Sequence, residues 1–153
     1  MKTPLAALTA ALLFLALCAS ASMARADAPQ AALLYTDMQK VPDDRKDEFW
    51  GYTRTVLSQH YALIGDERVL PASAKAKAEG CEADACLQAV RKATGAAIAL
   101  QLIHIYEGYF HQLYLTRLDD NGAVQKHLTC YLCGPKEFQA TLNRLANKFE
   151  EGQ

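Results

Sequence analysis

Two apolar runs, Ala97 to Tyr106 (AIALQLIHIY) and Tyr109 to Leu118 (YFHQLYLTRL), are dense in β-branched, aromatic and leucine residues and are parted only by Glu107-Gly108. A tight hairpin is the natural outcome of that spacing. Asp120-Asn121-Gly122 follows. Asn-Gly tolerates the positive φ that a second hairpin turn demands, so Val124 to Leu132 becomes the third strand of an antiparallel meander. A chain that commits this much of itself to consecutive strands must cover them, and its remaining segments supply the cover.

Ala31 to Met38 (AALLYTDM) reads as a first strand. Val41-Pro42-Asp43-Asp44 reads as a helix start, with an aspartate capping the exposed amides. Phe49, Trp50, Thr53, Val56 and Leu57 then share one face of a 3.6-residue period, opposite Arg45, Lys46, Asp47, Glu48 and Arg54. The spacing makes Trp50 a core anchor. His60 to Ile64 reads as a short strand, broken by Gly65-Asp66-Glu67-Arg68. Ser73 to Glu79 is Ala/Lys-rich and fits a solvated helical turn or a mobile loop. After Gly80 and Cys81, a helix carries Leu87, Val90 and Ala93 on one side, closed by Gly95 in a left-handed conformation. Gly134-Pro135 opens the last helix, whose stripe is Phe138, Thr141, Leu142, Leu145 and Phe149. The expected order is β-α-β-α-β-β-β-α: an α/β fold, a single domain, with a mixed sheet of about five strands and helices laid against it.

The first 26 residues stand apart. Lys2 gives a positive start, Leu5 to Leu17 is uncharged and apolar, and Ala24-Arg25-Ala26 presents small residues where a signal peptidase reads. The run is too short and alanine-rich for a membrane span. The expectation is a signal peptide over 1–26 and a periplasmic domain over 27–153, with no stable membrane anchor after cleavage. Leu17 before Cys18 is a poor lipidation context, so Cys18 leaves with the leader. Losing Lys2 and Arg25 leaves fourteen basic against seventeen acidic residues, a net charge of −3. That balance argues against nucleic acid as a partner.

Cleavage also leaves four cysteines, Cys81, Cys86, Cys130 and Cys133, in an oxidising compartment. Along a straight strand, Cys130 and Cys133 would stand roughly 10 Å apart at the α-carbons. A disulfide needs less than about 7 Å. A bridge there requires the chain to turn near Tyr131 or Leu132. Four cysteines allow three pairings; the local pairing Cys81–Cys86 with Cys130–Cys133 is the preferred expectation. The alternative use of CYLC is a redox pair, Cys130 and Cys133 at the mouth of a helix whose dipole lowers thiol pKa. Zinc held by the four thiolates is disfavoured because exported thiols oxidise.

His104 and His111 lie on neighbouring strands within reach of one another and read as half-buried sheet histidines, while His127 falls on a solvent face. No phosphate loop, nucleophile elbow or zinc-helix motif occurs in the sequence. The acids at Asp43, Asp44, Asp47 and Glu48 and at Asp119 and Asp120 are helix-start and turn residues. Neither a catalytic residue nor a cofactor nor a metal ligand is expected. A small-ligand carrier with a pocket beside Tyr106, Tyr109 and Tyr114 is a second alternative.

The segments CEADACLQAVRKATGA, AIALQLIHIYEGYFHQLYLTRLDDNGAV and CYLCGPKEFQATLNRLANKF, in that order, resemble a group of bacterial envelope domains. The group includes the amino-terminal domain of TolB, the curli secretion lipoprotein CsgG and the LpoB-like proteins. The resemblance implies a non-enzymatic interaction or assembly module whose partner is another envelope protein. The sequence departs from the group in lacking a lipidation motif and the β-propeller that follows the TolB domain.

Overall fold

The computed structural model describes residues 28–151, so the leader, its cleavage site and Cys18 lie outside the described residues. The elements are β1 (Gln30–Gln39), α1 (Asp43–Leu57), β2 (Ala62–Leu63), α2 (Asp66–Ala78), α3 (Ala83–Thr94), β3 (Ile98–Tyr106), β4 (Phe110–Asp119), β5 (Gly122–Tyr131) and α4 (Pro135–Asn147). One mixed sheet runs in the order β2-β1-β3-β4-β5. β1 is parallel to both neighbours, and β3, β4 and β5 form the antiparallel meander. The fold is the α/β domain read from the sequence.

Alternation along the strands splits the packing into two cores. Leu100, Leu102, Leu113 and Leu115 meet Phe49, Val56 and Leu57 of α1 and Phe138, Leu142 and Leu145 of α4 on one face. Ala32, Leu34, Ala99 and Leu118 meet Val69 and Ala76 of α2 and Leu87 and Val90 of α3 on the other. Trp50 is half-buried and packs on the first core. The α4 stripe is buried as its spacing demands.

The sequence reading needs several corrections. The order gains a helix: Gly65 to Arg68 follows the end of the short strand, as expected, but also opens α2, which runs to Ala78 through Pro71. An interior proline forfeits a backbone hydrogen bond. Burial of Val69 and Ala76 against α3 outweighs it. Asp43 and Asp44 do not cap α1: Pro42 occupies the cap position, and Asp43 pairs with Lys46 at 2.6 Å instead. The inner stripe of α3 is Leu87, Val90 and Thr94. Ala93 is exposed, because Thr94 falls seven residues from Leu87 and bonds back to the Val90 carbonyl at 2.8 Å. The strand at His60 to Ile64 shrinks to Ala62–Leu63. Gly95 does close α3 at φ 69°.

The first hairpin turn shifts by one residue and the second shortens by one. The first loop is Gly108-Tyr109, not Glu107-Gly108, with the Glu107 amide donating to the Phe110 carbonyl at 3.0 Å. Gly108 sits at φ 65°, a left-handed position that favours glycine, and the Tyr109 amide donates across it to the Glu107 carbonyl at 2.6 Å. The second loop is Asp120-Asn121, and Gly122 at φ 111° opens β5. The strand ends at Tyr131, leaving Leu132 outside it.

Candidate functional site

The meander brings its chemistry-bearing residues to one end of the sheet. Register places Tyr106 opposite His111, and His111 opposite Cys130. These side chains share the face covered by α1 and α4. His104 lies diagonally across, so its ring meets His111 with Nε2 2.8 Å from the partner Nδ1. Both rings are buried, at 0 % and 3 % exposure, rather than half-buried. Phe49 and Phe138 close over them, with centroids 4.8 to 5.5 Å apart.

The Cys133 backbone lies beside the His111 ring and favours its protonated form. One proton is shared across the contact between His104 Nε2 and His111 Nδ1. His104 Nδ1 has no hydrogen-bond partner among the described residues. Burial holds the His104 pKa down to about 3, helped by the His111 ring and the Arg45 cation. Burial and then Arg45 also lower that of His111, against the pull of the Cys133 backbone. Both shifts favour neutral rings at physiological pH, and among the described residues no carboxylate is hydrogen-bonded to either ring.

Beyond His111 the chain turns sharply. Cys130 and Cys133 stand at disulfide distance, with α-carbons 5.9 Å apart. The turn is made at Leu132, whose φ of 50° is left-handed. Its amide donates to the Tyr109 carbonyl at 2.7 Å, tying this loop to the β3–β4 hairpin. Leu132 is 81 % exposed, and its neighbours Tyr109 and Tyr131 are 77 % and 73 % exposed. The Tyr131 ring also touches that of Phe110 at 5.6 Å. The result is an apolar knob at the tip of the sheet. Cys130 behind it is buried, while Cys133 is half-buried.

Beside the knob lies a pocket of about 260 Å³ lined by Arg45, Tyr106, Tyr109, His111, Leu132 and Cys133. Tyr114, grouped with Tyr106 and Tyr109 in the ligand-carrier alternative, is on the opposite face. It pairs with Ile103 and stacks on His127 at 5.6 Å. Larger clefts, of about 460 to 490 Å³, lie beside α1, α3 and β5 and contain neither histidine of the pair nor a cysteine. Cys81 and Cys86 form the other disulfide-distance pair, with α-carbons 5.0 Å apart at the start of α3 and far from the tip in sequence. Among the described residues no group of three His, Cys, Asp or Glu side chains is placed to hold a metal ion. No helix among them is long and apolar enough to cross a membrane.

The knob was not singled out from the sequence. Its signal was present in the geometric demand that a Cys130–Cys133 bridge turn the chain at Tyr131 or Leu132, both of them large and apolar.

No protein-family description and no curated protein matches the sequence. Solved structures do. The LpoB C-terminal domain from Salmonella enterica is 11 % identical, with 71 % of this chain and 90 % of that one covered at a TM-score of 0.45. Lipoprotein GNA1162 from Neisseria meningitidis is 8 % identical over 81 % of this chain and 98 % of that one, at 0.49. PelC from Paraburkholderia phytofirmans is 10 % identical over 78 % and 87 %, at 0.47. LpoB, named from the sequence, is thus among the structural neighbours, and the likeness extends to the arrangement of elements and nothing finer.

Proposed function

We propose that this chain is a non-enzymatic periplasmic interaction domain that docks another envelope protein through the Tyr109–Tyr131–Leu132 knob. The observation that carries the reading is Leu132, a bulky apolar side chain 81 % exposed on a left-handed backbone between two exposed tyrosines. Contiguous apolar exposure and local backbone strain both concentrate at binding surfaces. Tyrosine and leucine fixed by a short loop give contact area with little left to order on binding. The leader over 1–26 supports export, and the buried histidine pair, its shifts favouring neutral rings, supports a role without catalysis. The adjoining pocket is smaller than the roughly 300 Å³ at which small-ligand sites begin, which favours docking over ligand carriage.

Site-specific photo-crosslinking in the periplasm tests this. A photoreactive residue at position 109, 131 or 132 should trap one and the same envelope protein. The same group at exposed Lys92 on α3 should not, and Leu132→Asp should abolish trapping from 109. Equal trapping from 92 and 132 refutes the reading.

A further inference from the structure

The knob is held from two sides. Tyr109 holds the Leu132 amide from the hairpin, at 2.7 Å. The Cys130–Cys133 pair ties the two ends of the turn together, with Leu132 between them at φ 50°. An L-residue does not rest in that region unless its surroundings impose it. The first restraint is a single hydrogen bond, whereas the second is covalent.

We infer that the Cys130–Cys133 bridge is a redox latch on the docking knob: closed, it displays Leu132 for a partner, and opened by a dithiol reductant, it lets residues 131–133 straighten and withdraws the display. The inference rests on the docking reading for its consequence, though not for its chemistry. The two sulfurs are unequal. Cys130 is 6 % exposed, while Cys133 is half-buried on the wall of an open pocket of about 260 Å³. An incoming thiolate therefore attacks Cys133. The bond between the two protein sulfurs breaks, and its electron pair leaves on Cys130, which takes up a proton. The reductant's second thiol then attacks its own sulfur in the mixed disulfide. Cys133 departs and takes up the second proton, and the reductant closes as a disulfide. Two electrons and two protons pass from dithiol to protein.

With the bridge open, Cys130 continues β5 and Leu132 falls back to the extended region. The α-carbon separation then grows from 5.9 Å towards the roughly 10 Å of a straight strand. His111 keeps its place, because its ring packs against the clustered rings of Phe49 and Phe138 in the core. The change is confined to the tip.

Two proteins test the latch: the wild type with and without dithiothreitol, and Cys130→Ser/Cys133→Ser without it. In both opened forms, the Leu132 amide should exchange with solvent about tenfold faster or more, the factor matching the usual penalty of a left-handed L-residue. The amide of Leu102 in the core should keep its rate, and crosslinking from 132 should fall by a similar factor. An unchanged Leu132 amide overturns the latch even if crosslinking persists, leaving docking intact. Crosslinking absent in the closed form removes the docking reading, while the amide still decides the latch. Loss of protection at Leu102 as well makes the bridge a brace for the whole domain and overturns the latch too.

Discussion

Acidification should unfold this domain through His104. Its ring is 0 % exposed, its Nδ1 has no hydrogen-bond partner among the described residues, and its pKa falls from 6.5 to about 3 in the folded chain. The leading cause is burial, reinforced by His111 and by Arg45. Between those two values the unfolded chain binds a proton that the native state refuses. Stability is therefore undiminished above pH 6.5 and declines as pH falls from there towards 3. Each unit is worth about 1.36 kcal/mol, so at pH 5 the loss from His104 alone is about 2 kcal/mol. His111, lowered in the same direction, adds to it. Urea unfolding of wild type and His104→Leu at about pH 7.5 and about pH 5 isolates the effect. The absolute stabilities will differ, because leucine leaves His111 Nδ1 without its partner. The informative quantity is the change with pH, in which groups common to both proteins cancel. The wild type should lose about 2 kcal/mol more than the variant on acidification. An identical pH dependence in the two proteins would show that His104 reaches solvent in the native state, and the buried-pair geometry would be wrong.

Other outcomes follow from single positions. Gly95→Ala places a side chain at φ 69° with nothing crowding it, so the cost is backbone strain alone, about 1 kcal/mol by urea titration. Phe138→Ala removes a ring that is 0 % exposed and packs on Phe49 and both histidines, and should cost about 3–5 kcal/mol, with faster exchange at the His104 and His111 amides. Leu132→Gly relieves the positive φ and should raise stability by about 1 kcal/mol while abolishing crosslinking from Tyr109, a divergence that a purely structural leucine would not produce. Intact mass of the exported protein should correspond to a chain beginning at Asp27 and lacking two thiol hydrogens for each bridge.

What could be read from the sequence was whatever repeats locally. The α4 stripe from Phe138 to Phe149 and the three meander strands state their period in consecutive residues, and the structure keeps them. Helix α2 was illegible for a physical reason. Gly65 and Pro71 punctuate it, and only Val69 and Ala76 bury well. Its helicity comes from packing on α3, a contact that no local window contains. The histidine contact was legible as proximity but not as burial, since burial depends on Phe49 and Phe138 arriving from two helices. The tyrosine grouping failed on parity. The pairing of Tyr106 with His111 puts odd positions of β4 beside even positions of β3, so Tyr114 had to face away from Tyr106. A loop at Glu107-Gly108 would have paired Tyr106 with Tyr109 and given the same parity, so this failure was legible in the sequence itself.

The two bridged loops make the strongest case that the tip is built for display rather than for strength. Each encloses a handful of residues, and chain entropy assigns roughly 2 kcal/mol to either closure. Each also holds one L-residue at positive φ, Ala83 at 44° and Leu132 at 50°. Such a residue costs about 1–2 kcal/mol, so at both sites the closure and its turn nearly cancel. Stability alone would then place glycine at both turns, which removes the strain and keeps the bridge. At the start of α3 the residue is alanine, the smallest with a β-carbon. At the tip it is leucine, bulky and 81 % exposed, so the strain is not offset by burial of the side chain in its own domain. Under the docking proposal, an apolar pocket on the partner is the surface that a leucine flanked by two tyrosines fits, and burying Leu132 there adds to what the closure already offsets.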